Sequence, residues 1–245
     1  MSNTVRDLEN KVILIAGASS GMGRATALIA GVAGAKLILA ARNGEALEAL
    51  ARDVQDAGGS ALAVPTDLTG HEATQRLVET AMSTHDYIDV VINTVGTNIQ
   101  RRTLDELTPE SWAGMIDINL TAAFNITQAI VPVFRQQEDG LVIYISSSAA
   151  KKPDPSGVAY QATKAGLVGL AHGTMEEERG HGIRTTVIFP GLTDTPMVLK
   201  RPTPTPPEVL ARALQPEDVA AACLFVLRLP ARAYVPELLL YPSRS

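Results

Sequence analysis

A tyrosine and a lysine stand four residues apart in the stretch YQATK, as Tyr160 and Lys164. Residues at i and i+4 lie on the same face of a helix, so the phenol and the ammonium can point into one cleft. A positive charge beside a phenol lowers the pKa of the tyrosine from its ordinary value of about 10, and such a phenol can move a proton to or from a substrate oxygen. Chance also produces this spacing, and a surface lysine beside a half-buried tyrosine is then the alternative.

A glycine-rich turn follows the first apolar run of the chain, in the sequence AGASSGMGRATALIA. Gly17, Gly21 and Gly23 let the backbone turn tightly and approach a pyrophosphate, which the positive N-terminal end of a helix beginning near Met22 would stabilise. The spacing G-x-x-x-G-x-G differs from the commoner G-x-G-x-x-G. A plain tight turn is the alternative, but the strand before it and the helix after it favour a dinucleotide site.

The end of the second apolar run bears on which dinucleotide binds. Many dinucleotide-binding proteins place an acid there to hold the adenosine ribose hydroxyls of NAD. Here Ala41 stands at that position and Arg42 follows it. A guanidinium can pair with the 2′-phosphate of NADP, so the sequence predicts NADP(H), with NAD(H) less favoured. An ordinary surface arginine is the alternative.

Short apolar runs alternate with amphipathic segments along the whole chain. The apolar runs begin at residues 11, 35, 61, 88, 140, 183 and 235, and read as strands buried on both faces. The segments between them carry helical spacing near 22–34, 44–57, 70–84, 111–136, 157–179 and 216–229. This alternation predicts an α/β fold with a parallel sheet and right-handed crossovers, in a single domain over residues 1–245.

A proline-rich stretch interrupts the alternation, with seven prolines within residues 190–216. Proline removes backbone donors and interrupts helices, so this stretch should be irregular. Because long irregular segments are commonly functional, we predict that residues 190–215 form a lid over a substrate.

Composition limits the classes of partner. The 245 residues carry a formal net charge of −5 without a Lys/Arg block, which argues against nucleic acid and anionic membranes. Cys223 is the only cysteine, so no disulfide framework exists, and the four histidines form no metal-binding pattern. No apolar run approaches the ~18 residues of a membrane span, and the N-terminus lacks a signal-peptide pattern. We expect a cytoplasmic protein with a small-molecule substrate and no metal.

Further motifs occur in a fixed order: PTDLT, NTVG, DINL, SSS at 146–148, YQATK and PGLTDTPM. Together with the glycine turn, they make the chain resemble the short-chain dehydrogenase/reductase family over nearly its whole length. The resemblance implies a Rossmann-type, doubly wound fold with a mostly parallel, seven-stranded sheet and helices on both faces. It also favours a functional reading of Tyr160 and Lys164, because independent weak motifs in the expected order reinforce one another.

The resemblance implies four catalytic residues. Tyr160 would be the acid/base, and Lys164 would hold the nicotinamide ribose and lower the pKa of Tyr160. Relatives have a serine 13 residues before the tyrosine, which selects Ser147 to orient the substrate oxygen. Asn119 would anchor a water chain that leads to the lysine. Asparagine is unfavourable within a helix, so we expect a local kink there; a satisfied core amide is the alternative.

The resemblance also implies the cofactor contacts. Asp67 would accept a hydrogen bond from the adenine amino group, with Leu68 beside it. The loop NTVG departs from the usual N-A-G form at Thr94 and Val95, which leaves its detailed contacts open. The cofactor-binding residues expected on this basis are Gly17, Ser19, Ser20, Gly21, Met22, Gly23, Arg42, Asp67, Leu68, Asn93, Gly96, Tyr160, Lys164, Pro190, Gly191 and Thr195.

The implied reaction transfers a hydride between nicotinamide and a carbonyl or secondary alcohol, with NADPH favouring reduction. Loops 97–99 and 149–157 should select the substrate; in the second, Lys151 and Lys152 could bind an anion or simply be solvated. The C-terminal tail is similar to that of hydroxy-acid dehydrogenases of the family, but ketones, steroids and acyl-carrier thioesters stay open. Rival functions are a non-catalytic NADP-binding sensor or scaffold and an epimerase or dehydratase. The family also implies a homo-oligomer, either dimer or tetramer.

Overall fold

Seven parallel strands form one sheet in the computed structural model, which describes residues 7–244. The spatial order is β3-β2-β1-β4-β5-β6-β7, and every neighbouring pair is parallel. The strands are β1 (Val12–Ala16), β2 (Lys36–Ala41), β3 (Ser60–Pro65), β4 (Val90–Asn93), β5 (Gly140–Ile145), β6 (Ile183–Pro190) and β7 (Glu237–Leu240). The predicted seven-stranded parallel sheet is confirmed.

Helices connect the strands and cover both faces of the sheet, as a doubly wound fold requires. They are α1 (Gly21–Val32), α2 (Gly44–Asp56), α3 (His71–His85), α4 (Pro109–Ile116), α5 (Ala122–Gln137), α6 (Val158–Glu178), α7 (Pro207–Leu210) and α8 (Pro216–Leu227). Polar side chains define several of their ends. The Asn43 side chain, for example, accepts a hydrogen bond from the Ala46 amide and so caps α2.

Two hydrophobic cores lie on opposite faces of the sheet. One contains apolar residues of α1, α2 and α8 and the other those of α3, α5 and α6. Burying a leucine, isoleucine or valine side chain stabilises a fold by roughly 1.5–3 kcal/mol. Strands β1, β4 and β5 are buried along their whole length, which accounts for their continuous apolar sequences. The centre of the sheet is therefore a rigid support for the loops at its ends.

The strand order reverses direction between β1 and β4. The chain runs outward from β1 to β2 and β3, then returns to β4 on the other side of β1. Crossovers that leave in opposite directions open a crevice at the carboxyl ends of these strands, which is where doubly wound sheets bind ligands. Gly17 follows β1 and Thr94 follows β4, so both lie at this crevice.

The long helix expected over 111–136 is interrupted. Residues Asp117–Thr121 form a π-helical turn between α4 and α5, in which the Ala122 amide donates to the Asp117 carbonyl. Such turns insert one extra residue into a helix and are frequent at functional sites. Asn119 lies in this turn, so the distortion expected at this residue is present.

The proline-rich segment is irregular, as predicted. Residues Pro196–Lys200 form a 3₁₀ helix, α7 is a single turn, and an isolated bridge joins Thr193 to Leu214. Within residues 7–244, no helix combines the length and apolar character needed to cross a membrane.

Candidate active site

A cavity of about 360 Å³ occupies the crevice at the carboxyl ends of the first four strands. Most of the predicted cofactor residues line it, and they come from the turns after β1, β2, β3 and β4 and from the proline-rich segment. They are Gly17, Ser19, Ser20, Gly21, Met22, Gly23, Arg42, Asp67, Leu68, Gly96 and Thr195.

The glycine turn has no room for a side chain at Gly17 or Gly23. Gly17 has a φ of +84°, and a Cβ on Gly23 would lie 2.4 Å from the Gly17 carbonyl oxygen. Thr94 closes the turn from the β4 side, since its hydroxyl donates to the Ala16 carbonyl at 2.8 Å. The start of α1 faces the cavity, and within the described residues the Ser20 side chain does not cap it. Free amides at a positive helix end and a bare backbone fit a pyrophosphate.

The far end of this cavity carries Arg42 and Asp67. Asp67 Oδ1 accepts hydrogen bonds from the Thr69 amide at 3.1 Å and the Thr69 hydroxyl at 2.8 Å. These bonds, with a smaller contribution from the Arg42 charge, hold the pKa of Asp67 below its ordinary value. Asp67 is therefore an ionised acceptor at neutral pH, and Arg42 is an exposed cation in the cavity wall.

A second cavity of about 400 Å³ adjoins the first and shares Met22, Thr195 and Met197 with it. Ser147 and Tyr160 line this cavity, together with Pro190 and Gly191. Most of the predicted residues thus line two adjoining cavities, one with the glycine turn and one with the phenol, whereas Asn93, Asn119 and Lys164 line neither.

Lys164 is buried close to residues of both cavities, although it lines neither. Its Nζ is 5.8 Å from the centroid of the Tyr160 ring, so the two side chains share a face of α6 as their spacing predicts. Nζ donates to the Ile145 carbonyl at 2.9 Å, and a Cβ on Gly96 would lie only 3.0 Å from it. Lys164 is 3% exposed and stands directly behind Gly96, which lies in the wall of the first cavity.

Burial controls the pKa values of both groups. Burial raises the pKa of the Tyr160 phenol, and a hydrogen bond with Ser147 and the charge of Arg102 oppose that rise. Burial also lowers the pKa of Lys164 to about 8. The net direction is upward because desolvation of the phenol is the largest effect, so a lowering of the Tyr160 pKa by Lys164 stays a prediction. Tyr160 is therefore protonated at neutral pH.

The three consecutive serines have different surroundings. Ser147 precedes a short 3₁₀ turn, and its Oγ accepts a hydrogen bond from the Ala149 amide at 3.2 Å. Ser146 donates to the Lys164 carbonyl at 2.8 Å, which ties the end of β5 to α6. Ser147 is the one that also interacts with the Tyr160 phenol.

Asn119 is fully buried, and its amide group is satisfied by protein atoms. Oδ1 accepts from the Thr97 amide at 2.7 Å, while Nδ2 donates to the Thr97 carbonyl at 3.0 Å and to Thr163 Oγ1 at 3.1 Å. The asparagine thus joins the π turn to the loop after β4 and to α6, next to Gly96 and Lys164.

Asn93 lies behind the cavity wall. Its Oδ1 accepts from the Val95 amide at 3.1 Å, and its Nδ2 is buried without a hydrogen-bond partner among the described residues. Thr94 to Thr97 line the first cavity, but Asn93 does not. Asn93 therefore stabilises the loop after β4 through the Val95 amide.

Three basic residues at the cavities were not found from the sequence. Arg102 and Arg201 line the second cavity, and Lys200 lines the first. No local pattern distinguishes Arg102 from its neighbour Arg101, because the difference arises only from tertiary packing. Lys151 and Lys152, which the sequence suggested for anion binding, line neither cavity.

Comparison with known proteins gives consistent matches. The family model for short chain dehydrogenase matches residues 11–205. An uncharacterized oxidoreductase of Staphylococcus aureus is 33% identical over 236 residues, which cover 96% of this chain and 98% of that protein. A metagenomic short-chain oxidoreductase in complex with NADP is 30% identical, with a TM-score of 0.84 and coverage of 98% of this chain and 100% of the other. A 3-ketoacyl-(acyl-carrier-protein) reductase from Brucella melitensis complexed with NADH is 26% identical, with a TM-score of 0.87 and coverage of 97% and 99%.

These matches extend over the whole site. The family model spans the glycine turn, Ser147, Tyr160 and Lys164. The three similar proteins are covered almost from end to end, so the likeness includes the second cavity as well as the dinucleotide crevice. The chain belongs to the short-chain dehydrogenase/reductase family and is an NAD(P)-dependent oxidoreductase of CH–OH and C=O groups.

Proposed function

We propose that the protein reduces a carbonyl group to a secondary alcohol with NADPH, and that Tyr160 donates the proton. The observation that supports this most is that Tyr160 and Ser147 line a cavity that adjoins the glycine-lined crevice. Lys164 Nζ lies near both Gly96 of the crevice and the Tyr160 ring. A nicotinamide cofactor in the crevice would supply a hydride to the carbonyl carbon.

The side chains have distinct roles in this proposal. The raised pKa of Tyr160 keeps its proton in place at neutral pH, so the phenol can deliver that proton to the carbonyl oxygen as the hydride arrives. Ser147, which interacts with the same phenol, would orient the oxygen. Lys164 would hold the ribose through Nζ behind Gly96, and Asn119 would fix the loop that carries Gly96.

The test is a substrate screen with purified protein, in which NADPH oxidation is followed by absorbance. Ketones, oxo acids and oxo esters are offered with NADPH, and the corresponding alcohols with NADP. Turnover of at least one carbonyl class supports the proposal. NADPH binding without turnover of any carbonyl or alcohol would favour a non-catalytic NADP-binding protein.

We propose NADP(H) as the preferred cofactor, since Arg42 stands in the crevice wall and can pair with the 2′-phosphate. An acid at this place would repel that phosphate. NADPH should bind more tightly than NADH by roughly 1.5–3 kcal/mol, the contribution of one charge-assisted contact. Arg42→Ala should remove most of this difference in titration calorimetry. Arg52→Ala is the matched control, because Arg52 is exposed on the adjoining α2 and does not line the cavity. Equal affinities in the wild type would contradict the assignment.

We propose that residues 190–215 act as a substrate lid. Met197 borders both cavities, and the 3₁₀ helix is attached to the body by two hydrogen bonds. Lys200 Nζ donates to Thr97 Oγ1 at 2.6 Å, and Arg102 Nη2 donates to the Lys200 carbonyl at 2.5 Å. Residues 202–204 and 206–209 beyond them are exposed.

A lid with so few attachments should open locally in the free protein. Amide hydrogen exchange over residues 196–210 is expected to slow when NADPH and a substrate bind. Exchange of α8, which packs on the core, serves as the internal control and should not change. Equal exchange over 196–210 with and without ligands would rule out a lid.

We also propose a homo-oligomer. Trp112 on α4 and Phe124 on α5 are 40% and 45% exposed on neighbouring helices, which supports a contact surface for a second copy. Sedimentation velocity of the purified protein would decide between monomer, dimer and tetramer.

A further inference from the structure

Arg102 is a buried cation without an ionic partner. The residue is 7% exposed, and its Nε has no hydrogen-bond partner among residues 7–244. Nη2 donates to the Lys200 carbonyl, but no salt bridge to Arg102 occurs in the described part of the chain. Buried charges are ordinarily paired, because an unpaired one is costly to desolvate.

Arg102 lies in the wall of the cavity that contains the catalytic phenol. Arg102 and Tyr160 line the same cavity, and each is close enough to shift the pKa of the other. A group bound to Arg102 is therefore held near the phenol that would protonate the substrate.

A second guanidinium strengthens the positive potential. Arg201 also lines this cavity. Burial is the main cause of the lowered pKa of Arg102, and the charge of Arg201 lowers it further, as expected for like charges brought together. Asp154 is the only acidic residue in the wall, and its Oδ1 already accepts the Ser156 amide at 2.8 Å. Two guanidiniums opposite one engaged carboxylate favour an anion in this space.

The loop lysines are engaged elsewhere. Lys151 forms an ion pair with Glu237 at 2.6 Å, and its Nζ lies 4.4 Å from the centroid of the Phe189 ring. Lys152 lies over the Tyr241 ring at 5.3 Å. Anion binding therefore falls to the arginines rather than to this loop.

Close packing sets the position of Arg102. Gly157 has a φ of +93°, and a Cβ at that position would lie 2.8 Å from the Arg102 Cβ and 2.7 Å from its carbonyl oxygen. Asn98 Nδ2 donates to the neighbouring Ser156 carbonyl at 2.9 Å, which fixes the loop that carries this glycine. The arginine is thus held against a backbone that leaves it little freedom, as a preorganised binding group requires.

We propose that the substrate carries a carboxylate beside its reducible carbonyl, and that Arg102 binds this carboxylate with Arg201 assisting. The substrate class is then a short oxo acid, reduced to the hydroxy acid, in a cavity of about 400 Å³. A planar fork of donors suits a carboxylate, which can accept two parallel hydrogen bonds. This inference rests on the proposed carbonyl reduction.

The test compares acids with their methyl esters, which remove the charge and keep the carbonyl. Pyruvate and acetoacetate are assayed against methyl pyruvate and methyl acetoacetate with NADPH. The wild type should show a kcat/KM for at least one acid about 10-fold or more above its ester. Arg102→Gln should lower the kcat/KM of that acid by about 10- to 100-fold, mainly through KM, and lower that of the ester by a much smaller factor.

Lys152→Gln is the matched control, with the same loss of charge on a residue outside both cavities. Arg102→Lys, which keeps the charge, should recover part of the acid activity. Esters or plain ketones preferred over acids would overturn the inference and leave the proposed reductase standing. Equal loss of acid and ester activity in Arg102→Gln would assign the arginine a structural role.

A binding measurement covers the case in which no carbonyl is reduced and the proposed function itself fails. Titration calorimetry of pyruvate and acetoacetate into protein loaded with NADP should give binding in the wild type and in Lys152→Gln. Arg102→Gln should bind about 10- to 100-fold more weakly. Absence of binding in the wild type, or inorganic phosphate binding more tightly than either acid, would overturn the carboxylate assignment.

Discussion

Tyr160→Phe is expected to lower turnover by roughly 10²–10⁴-fold while NADPH affinity stays at the wild-type value. The substitution removes one hydroxyl that interacts with Ser147 and keeps the ring that packs in α6. Because only the proton donor is lost, the effect should fall on kcat. Steady-state kinetics and NADPH fluorescence titration measure the two quantities separately.

Tyr87→Phe is the matched control. Tyr87 is a half-buried tyrosine just before β4, at the end of the sheet opposite the cavities. Near-wild-type turnover of Tyr160→Phe on the best substrate would show that the YQATK stretch is only the face of a helix.

The pH profile of reduction gives a second readout. The wild type should lose activity at alkaline pH, first as Lys164 loses its proton near its pKa of about 8 and then as Tyr160 does, because burial keeps the pKa of Tyr160 above its ordinary value. Ser147→Ala removes a hydrogen bond that lowers the Tyr160 pKa, so the limb due to Tyr160 should move to higher pH while the rate falls. A limb that moves to lower pH would contradict the assigned interaction.

Lys164→Ala is expected to reduce cofactor affinity and turnover together, by roughly 10-fold or more and roughly 10²–10⁴-fold respectively. The reason is that Nζ lies next to Gly96 of the cofactor crevice and 5.8 Å from the centroid of the Tyr160 ring, and donates to the Ile145 carbonyl. Lys164→Arg should also fail. A guanidinium is larger than an ammonium, and the space around Nζ is tight, since a Cβ on Gly96 would lie 3.0 Å from it.

Lys152→Ala is the control for loss of a lysine charge near the site. Fluorescence titration with NADPH reports affinity, and single-turnover kinetics at saturating NADPH reports the chemical step. Loss of turnover with unchanged affinity would leave Lys164 a role toward Tyr160 alone, whereas loss of affinity alone would restrict it to holding the ribose.

The framework could be predicted from the sequence because its signals are local. Buried parallel strands have continuous apolar sequences. The runs VILIA and LVIYI, for example, form β1 and most of β5. The Tyr160–Lys164 pair depended only on helical periodicity, and Gly17 only on the conformational demand of one turn. Such features need no knowledge of what packs on them.

The features that the sequence did not predict depend on tertiary packing. Arg101 and Arg102 are adjacent and chemically identical, yet Arg101 is exposed and Arg102 is buried against Gly157. The pKa of Tyr160 changed direction relative to expectation because burial of the phenol outweighs the charges around it. The spacing of residues in the sequence predicts neither the partner of an arginine nor the desolvation of a phenol.

Thr94 also has an implication for how this sequence can change. Its Oγ1 lies 2.6 Å from the position that a Cβ would occupy on either Gly17 or Gly23, so one hydroxyl occupies the space next to both glycines. A smaller residue at position 94 would remove this contact without admitting a side chain at either glycine, because Gly17 has a positive φ and a Cβ on Gly23 would still lie 2.4 Å from the Gly17 carbonyl oxygen. If the loop after β4 were replaced by that of a relative with a smaller residue at position 94, a void would remain beside the two glycines.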